Sequence, residues 1–179
     1  MKMMKKVLAL ALAGAMALCV LTGCGGGSNA VSTDDLVKAL NETGAAKFEV
    51  AQGVTPKPAE IQSVQDRINK KLQENPSYTM TDAVELVLAE NLTRNLDDEE
   101  IGAVEEGICA VVEKSSKMSA STLAAQVVKN ATLIKVTKTS DDGASLSRKN
   151  ITLDVGGTYE IALVTLDTDK GVCTLVIFY

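Results

Sequence analysis

Apolar positions along this chain change period. After an apolar opening stretch, Thr33-Asp34-Asp35 reads as a helix start, Leu36, Val37 and Leu40 supply a buried face, and Gly44 stands where a C′ glycine stops a helix. Lys47 to Ala51 alternates as a short strand does. Pro56 and Pro58 precede a second helical pattern, in which Ile61, Val64, Ile68 and Leu72 recur at three- and four-residue spacing before Asn75-Pro76 ends it. Thr81, Asp82 and Glu85 are read as the start of the next helix. Its apolar residues Val84, Leu86, Val87, Leu88 and Leu92 occupy more than one face and predict the most buried helix.

Asp97 with Glu100 resembles a capping arrangement, and Ile101, Val104, Ile108, Val111 and Val112 follow as a stripe at helical spacing. A further helix is expected from about Ser121 to Lys129, behind Leu123, Val127 and Val128. From Thr132 the period becomes two. Thr132 to Thr139 alternates until Asp141-Asp142-Gly143, and Ile151, Leu153 and Val155 alternate before Gly156-Gly157. Tyr159 to Asp167 and Val172 to Tyr179 are β-rich, and Thr168-Asp169-Lys170-Gly171 between them reads as a hairpin turn. About four helices followed by an antiparallel sheet of three to five strands imply an α+β domain of two layers, with one sheet face covered.

The opening stretch belongs to another category. Met1 to Lys6 carries Lys2, Lys5 and Lys6 with no acid, and Val7 to Leu21 is uncharged and apolar over 15 residues. That is a basic n-region and an h-region, shorter than the roughly 20 residues a spanning helix needs. Leu21-Thr22-Gly23-Cys24 closes it with a large apolar residue, two small ones and a cysteine. This resembles the lipobox of bacterial lipoproteins, and the resemblance covers the signal and tether alone. It implies that Leu21, Thr22 and Gly23 are read by the lipoprotein signal peptidase, that cleavage falls before Cys24, and that Cys24 carries a lipid thioether. Two or more acyl chains make a stable anchor where one binds only marginally. The expected organisation is a signal peptide over 1–23, a lipidated flexible tether over 24–30 that includes Gly25-Gly26-Gly27-Ser28, and one domain over 31–179. The expected location is the extracytoplasmic face of a bacterial membrane.

Composition then narrows the chemistry. The net charge is -5, and removal of residues 1–23 takes three lysines and no acid, leaving -8. An acidic surface is not drawn to anionic lipid, so attachment falls to the lipid on Cys24. With 2 Phe, 3 Tyr and no Trp, stacking platforms for nucleic acid are missing along with a basic footprint, and nucleic acid is not an expected partner. The chain has no His. That removes the Ser-His and Cys-His nucleophile pairs and every zinc site built on imidazole.

Each remaining motif has a plain structural explanation. Cys109 and Cys173 are left after Cys19 and Cys24, either as a disulfide or as two buried thiols. Asp97-Asp98-Glu99-Glu100 fits a helix N-terminus as well as a metal, and Asp167-Thr168-Asp169-Lys170-Gly171 begins like a calcium loop but lacks its closing Glu. Lys114-Ser115-Ser116-Lys117 lacks the S-x-x-K spacing of a Ser-Lys dyad. Asn41, Asn91, Asn130 and Asn150 head glycosylation sequons, which the bacterial reading of the lipobox leaves unused. No residue set points to a metal or cofactor. The reading is therefore a membrane-anchored lipoprotein whose small domain binds or assembles with a protein or envelope ligand; the reading of another class is a small cell-envelope hydrolase using carboxylates or a Ser-Lys dyad.

Overall fold

The structure, a computed structural model, describes residues 31–53, 58–96, 99–113, 118–141 and 143–179. Leu21 to Cys24, Asp97-Asp98 and Lys114 to Lys117 lie outside them. The described residues form an α+β fold in the order α1 (Thr33–Glu42), β1 (Lys47–Val50), α2 (Pro58–Glu74), α3 (Met80–Arg94), β2 (Val104–Glu113), α4 (Ala120–Lys129), β3 (Ala131–Ser140), β4 (Gly143–Asn150), β5 (Thr158–Thr168) and β6 (Gly171–Phe178). The strands make one sheet in the order β1-β5-β6-β2-β3-β4.

Helix boundaries follow capping chemistry. Ser32 caps α1 by accepting from the Asp35 N–H, and Gly44 follows the Thr43 C-cap at φ +70°. Pro58 opens α2, where its missing N–H costs nothing, and the helix ends at Glu74, before Asn75-Pro76. The cap of α3 is Thr79, two residues earlier than Thr81. Its hydroxyl accepts from the Asp82 N–H while the Asp82 carboxylate accepts from the Thr79 N–H, a reciprocal capping box. Ser119, likewise upstream of the expected Ser121, caps α4.

The sheet departs from expectation in three ways. It has six strands rather than three to five, it is mixed because β1 runs parallel to β5, and both of its faces are covered. On one face lie α2 and α3, whose Ile68, Leu72, Val84, Val87 and Leu92 pack on Cys109, Val111, Ile134, Val136, Leu166, Cys173, Leu175 and Ile177. On the other lie α1 and α4, whose Leu36, Leu40, Leu123 and Val127 pack on Phe48, Ala110, Val112, Ile161, Val176 and Phe178. The result is three layers, with β6 central: its Cys173, Leu175 and Ile177 face one core while Val176 and Phe178 face the other. A strand buried on both sides reads as an apolar run, which is what Val172 to Tyr179 is. The three rings of Phe48, Tyr159 and Phe178 meet in the α1/α4 core with centroids 5.9 to 6.4 Å apart.

Two segments change identity. The stripe from Val104 to Val112 is strand β2, not a helix, and Ile101 stands exposed in the turn before it. Val104, Ile108 and Val112 share one strand face and Val111 the other, so burial on both sides imitated a helical period, and the β-branched side chains suit the pleat. The last strand before Gly156 is β4, Gly143 to Asn150, rather than Ile151 to Val155. Leu153 is buried in the α1/α4 core, yet Ile151 to Gly157 contributes no ladder. The predicted β5–β6 hairpin forms, with Gly171 at φ +121° and the Thr168 hydroxyl donating to its carbonyl at 2.7 Å.

Candidate interaction surface

Most residues singled out in the sequence hold the fold together. Cys109 stands opposite Ile177, and Cys173 opposite Glu113. The two thiols are thus four residues apart along adjacent strands, about 13 Å at the rise of a strand, beyond the roughly 7 Å that a disulfide spans. Both are free and buried, and the disulfide alternative is set aside. Burial pushes the Cys109 thiol well above the ordinary range and that of Cys173 up to about 12, so neither is a nucleophile at neutral pH.

The Asp167 to Gly171 motif is a docking point. The Asp169 N–H donates to Asn69 Oδ1 at 2.9 Å, its carboxylate accepts from Gln73 at 2.8 Å, and the Lys170 ammonium donates to the Pro76 and Tyr78 carbonyls. The hairpin is thereby tied to α2 and to the α2–α3 connection. Among the described residues, no three Cys, Asp or Glu side chains converge as a metal site would require.

The sequon asparagines are structural too. Asn41 donates to the Phe48 carbonyl and accepts from the Phe48 N–H, both at 2.9 Å, so one amide pairs with edge strand β1 as another strand would. Asn91 accepts from Arg67 at 2.8 Å, Asn130 donates to the Val111 carbonyl at 3.0 Å, and Asn150 accepts from Thr132 at 3.3 Å.

Two charged clusters tie elements together and went unseen in the sequence. Glu90 of α3 takes Arg67 at 2.6 Å and Lys71 at 2.8 Å, both from α2. Burial pushes the Glu90 carboxyl up, and the hydrogen bonds from Arg67 and Lys71 more than reverse this to hold it below the ordinary range. Arg148 of β4 reaches Asp82 and Glu85 of α3, both at 3.1 Å. Glu85 is 6% exposed within the most buried helix, and that position is the one hint the sequence offers: a carboxylate on a buried face needs a cation.

The open surface lies at the β3–β4 end. Residues paired across strands share a face, which sets Val104, Glu106, Lys135, Thr137, Ser145, Ser147 and Lys149 on the α1/α4 side of the sheet. There the helices end short: Val104, Lys135, Ser145, Ser147 and Lys149 are exposed, and Glu106 stands opposite Lys135 in the β2–β3 register. From Ala144 to Asn150 every β4 residue is exposed, Leu146 among them at 38%. The outer rim of β4 pairs with no strand among the described residues. A groove of about 490 Å³ lies between α1 and α4, lined by Val31, Asp35, Lys38, Glu42 and Met118; it is open and of mixed charge. Among the described residues no helix is long and apolar enough to cross a membrane.

Set against protein-family models, curated proteins and solved structures, the chain matches none of them. The surface has to be read from its own chemistry. It presents backbone donors and acceptors along a strand rim, short hydroxyl side chains, two lysines and one exposed leucine, a set that suits pairing with another backbone.

Proposed function

We propose that this chain is a bacterial lipoprotein, held on the extracytoplasmic face of a membrane by lipid on Cys24, whose α+β domain works by binding or assembly. The observation that supports anchoring is Leu21-Thr22-Gly23-Cys24 directly after a basic and then apolar leader. Gly25 to Asn29, of glycine, serine and asparagine, has the composition of a short spacer between that lipid and the domain. Support for a binding role comes from the exposed β4 strand, an unfilled backbone template on an otherwise covered sheet. Partner and ligand classes that suit it are proteins or extended peptides of the cell envelope.

Anchoring is tested by replacing Cys24 with Ala in bacterial cells fed a labelled fatty acid. The native chain is expected in the membrane fraction with label incorporated, and Cys24→Ala unlabelled, with its leader uncleaved. Equal labelling and equal processing of both chains would remove the lipoprotein reading.

A further inference from the structure

The two rims of the sheet are treated differently. At the β1 rim, the Asn41 amide occupies both the N–H and the carbonyl of Phe48, and the strand is only four residues long, so that edge is short and blocked. At the β4 rim nothing comparable is present among the described residues: eight residues run along the edge, and Gly143 to Ser147 carries neither charge nor proline. Arg148, which could have guarded it, is turned onto α3, where Asp82 and Glu85 hold it. Lys149 is the remaining cation of the strand.

We propose that β4 pairs antiparallel with β4 of a second copy of this chain, with the two-fold axis at Leu146, so that the sheets of both copies become continuous. This deepens the assembly reading and rests on it for the choice of surface. Charge decides the direction. The strand is preceded by Asp141 and Asp142 and ends in Arg148 and Lys149. In-register parallel pairing would set Lys149 beside its own copy, and like charges side by side are destabilising across strands. With Leu146 on the axis, Lys149 instead lies opposite Gly143 of the partner, the first strand residue after the acidic β3–β4 turn that carries Asp141.

The same register pairs the two Leu146 side chains, removing the exposed apolar group of this strand from water. It also places Ser145 opposite Ser147 of the partner on the α1/α4 face, where hydroxyls can bond across the strands. A second copy is preferred to a foreign strand because the basic and acidic ends that a partner must supply in reverse order are those this chain carries. The interface is isologous and closes on itself, giving a dimer and not a fibre.

The test is the mass of the full chain purified in mild detergent, read by light scattering after size exclusion, with the micelle contribution subtracted. It does not depend on whether Cys24 is lipidated, so its failure is separable from failure of the anchoring experiment. The native chain is expected to be a dimer. S145K/S147K puts lysines opposite lysines and is expected to run as a monomer with an unchanged circular dichroism spectrum. S145K/S147E makes each lysine face a glutamate across the axis and is expected to restore the dimer. A monomeric native chain at about 100 µM, far above the range where a specific dimer of micromolar affinity dissociates, overturns the proposal. So does a dimer of S145K/S147K as stable as the native one, or a S145K/S147E chain that stays monomeric.

Discussion

The side chain of Asn41 spans the turn between α1 and β1, donating to one backbone group of Phe48 and accepting from the other. An amide carries a donor and an acceptor on separate atoms, so it can do both at once. Asn41→Ala leaves two partly buried backbone groups without their partner and is expected to lower stability by about 1 to 3 kcal/mol, measured from urea unfolding midpoints. Asn41→Asp keeps the acceptor but loses the donor, and should fall between the two. In the sequence this residue reads as a surface sequon, because nothing local says that a strand will lie beside it. Cys109 and Cys173 teach the complementary lesson: that both are buried was legible from their apolar surroundings, but their four-residue offset depends on the β2–β6 register, which no spacing of cysteines encodes.

At the level of elements, α3 shows a capping box that does two jobs. Asp82 completes the box with Thr79 and also accepts from Arg148 of β4, so the helix start and the edge strand share one carboxylate. The Thr79 hydroxyl, then its backbone N–H and Arg148, hold the Asp82 carboxyl below its ordinary range in spite of partial burial. The charged form therefore stabilises the fold fully above the unfolded pKa of about 3.9, and that contribution is lost as pH falls through the lower folded value. Asp82→Asn is expected to cost about 1 kcal/mol at pH 7 and progressively less below pH 4, since the native side chain then becomes neutral as well. Matched urea titrations at pH 7 and pH 3 read the difference; a cost independent of pH would show that the charge has no part in it. Helices α1 to α4 were legible because a start signal precedes a run of recurring apolar positions in each, although the caps of α3 and α4 lie two residues upstream of where the sequence places them. Strands β2 and β4 were not, and for opposite reasons: β2 is too apolar on both faces to alternate, and Gly143 to Asn150 is too polar to look like a strand at all.

For the molecule as a whole, the expectation of two layers failed at one point of physics. Counting helices and strands gives the α+β class but not how the helices divide between the faces, and the division was written in the apolar run of β6, which only Thr174 interrupts. Because β6 lines both cores, neither core can open without disturbing the other. The thiols report on this. Cys109 and Cys173 are expected to resist iodoacetamide at pH 8 in the folded chain and to become reactive together, at the urea concentration where circular dichroism shows helices and sheet melting. Thiol exposure at a clearly lower concentration would mean that the α2/α3 layer detaches as a separate unit. The interaction surface was the least legible part, since its residues Ala144 to Ser147 are small and unremarkable one by one, and acquire meaning only from lying at a rim.

The strand order has a further bearing on how the protein is made. β1 waits for β5, more than a hundred residues further along, and β2 has β6 as one of its two neighbours. Until residues 158–178 arrive, α1 and β1 have no sheet to lie on, and only the local β2–β3–β4 ladder can assemble. Long-range pairing of this kind folds slowly, because the loop must close before the contact rewards it. The β5–β6 hairpin is therefore the closing piece: β5 takes up β1 on one side, β6 takes up β2 on the other, and the six-stranded sheet exists only once these last residues are in place.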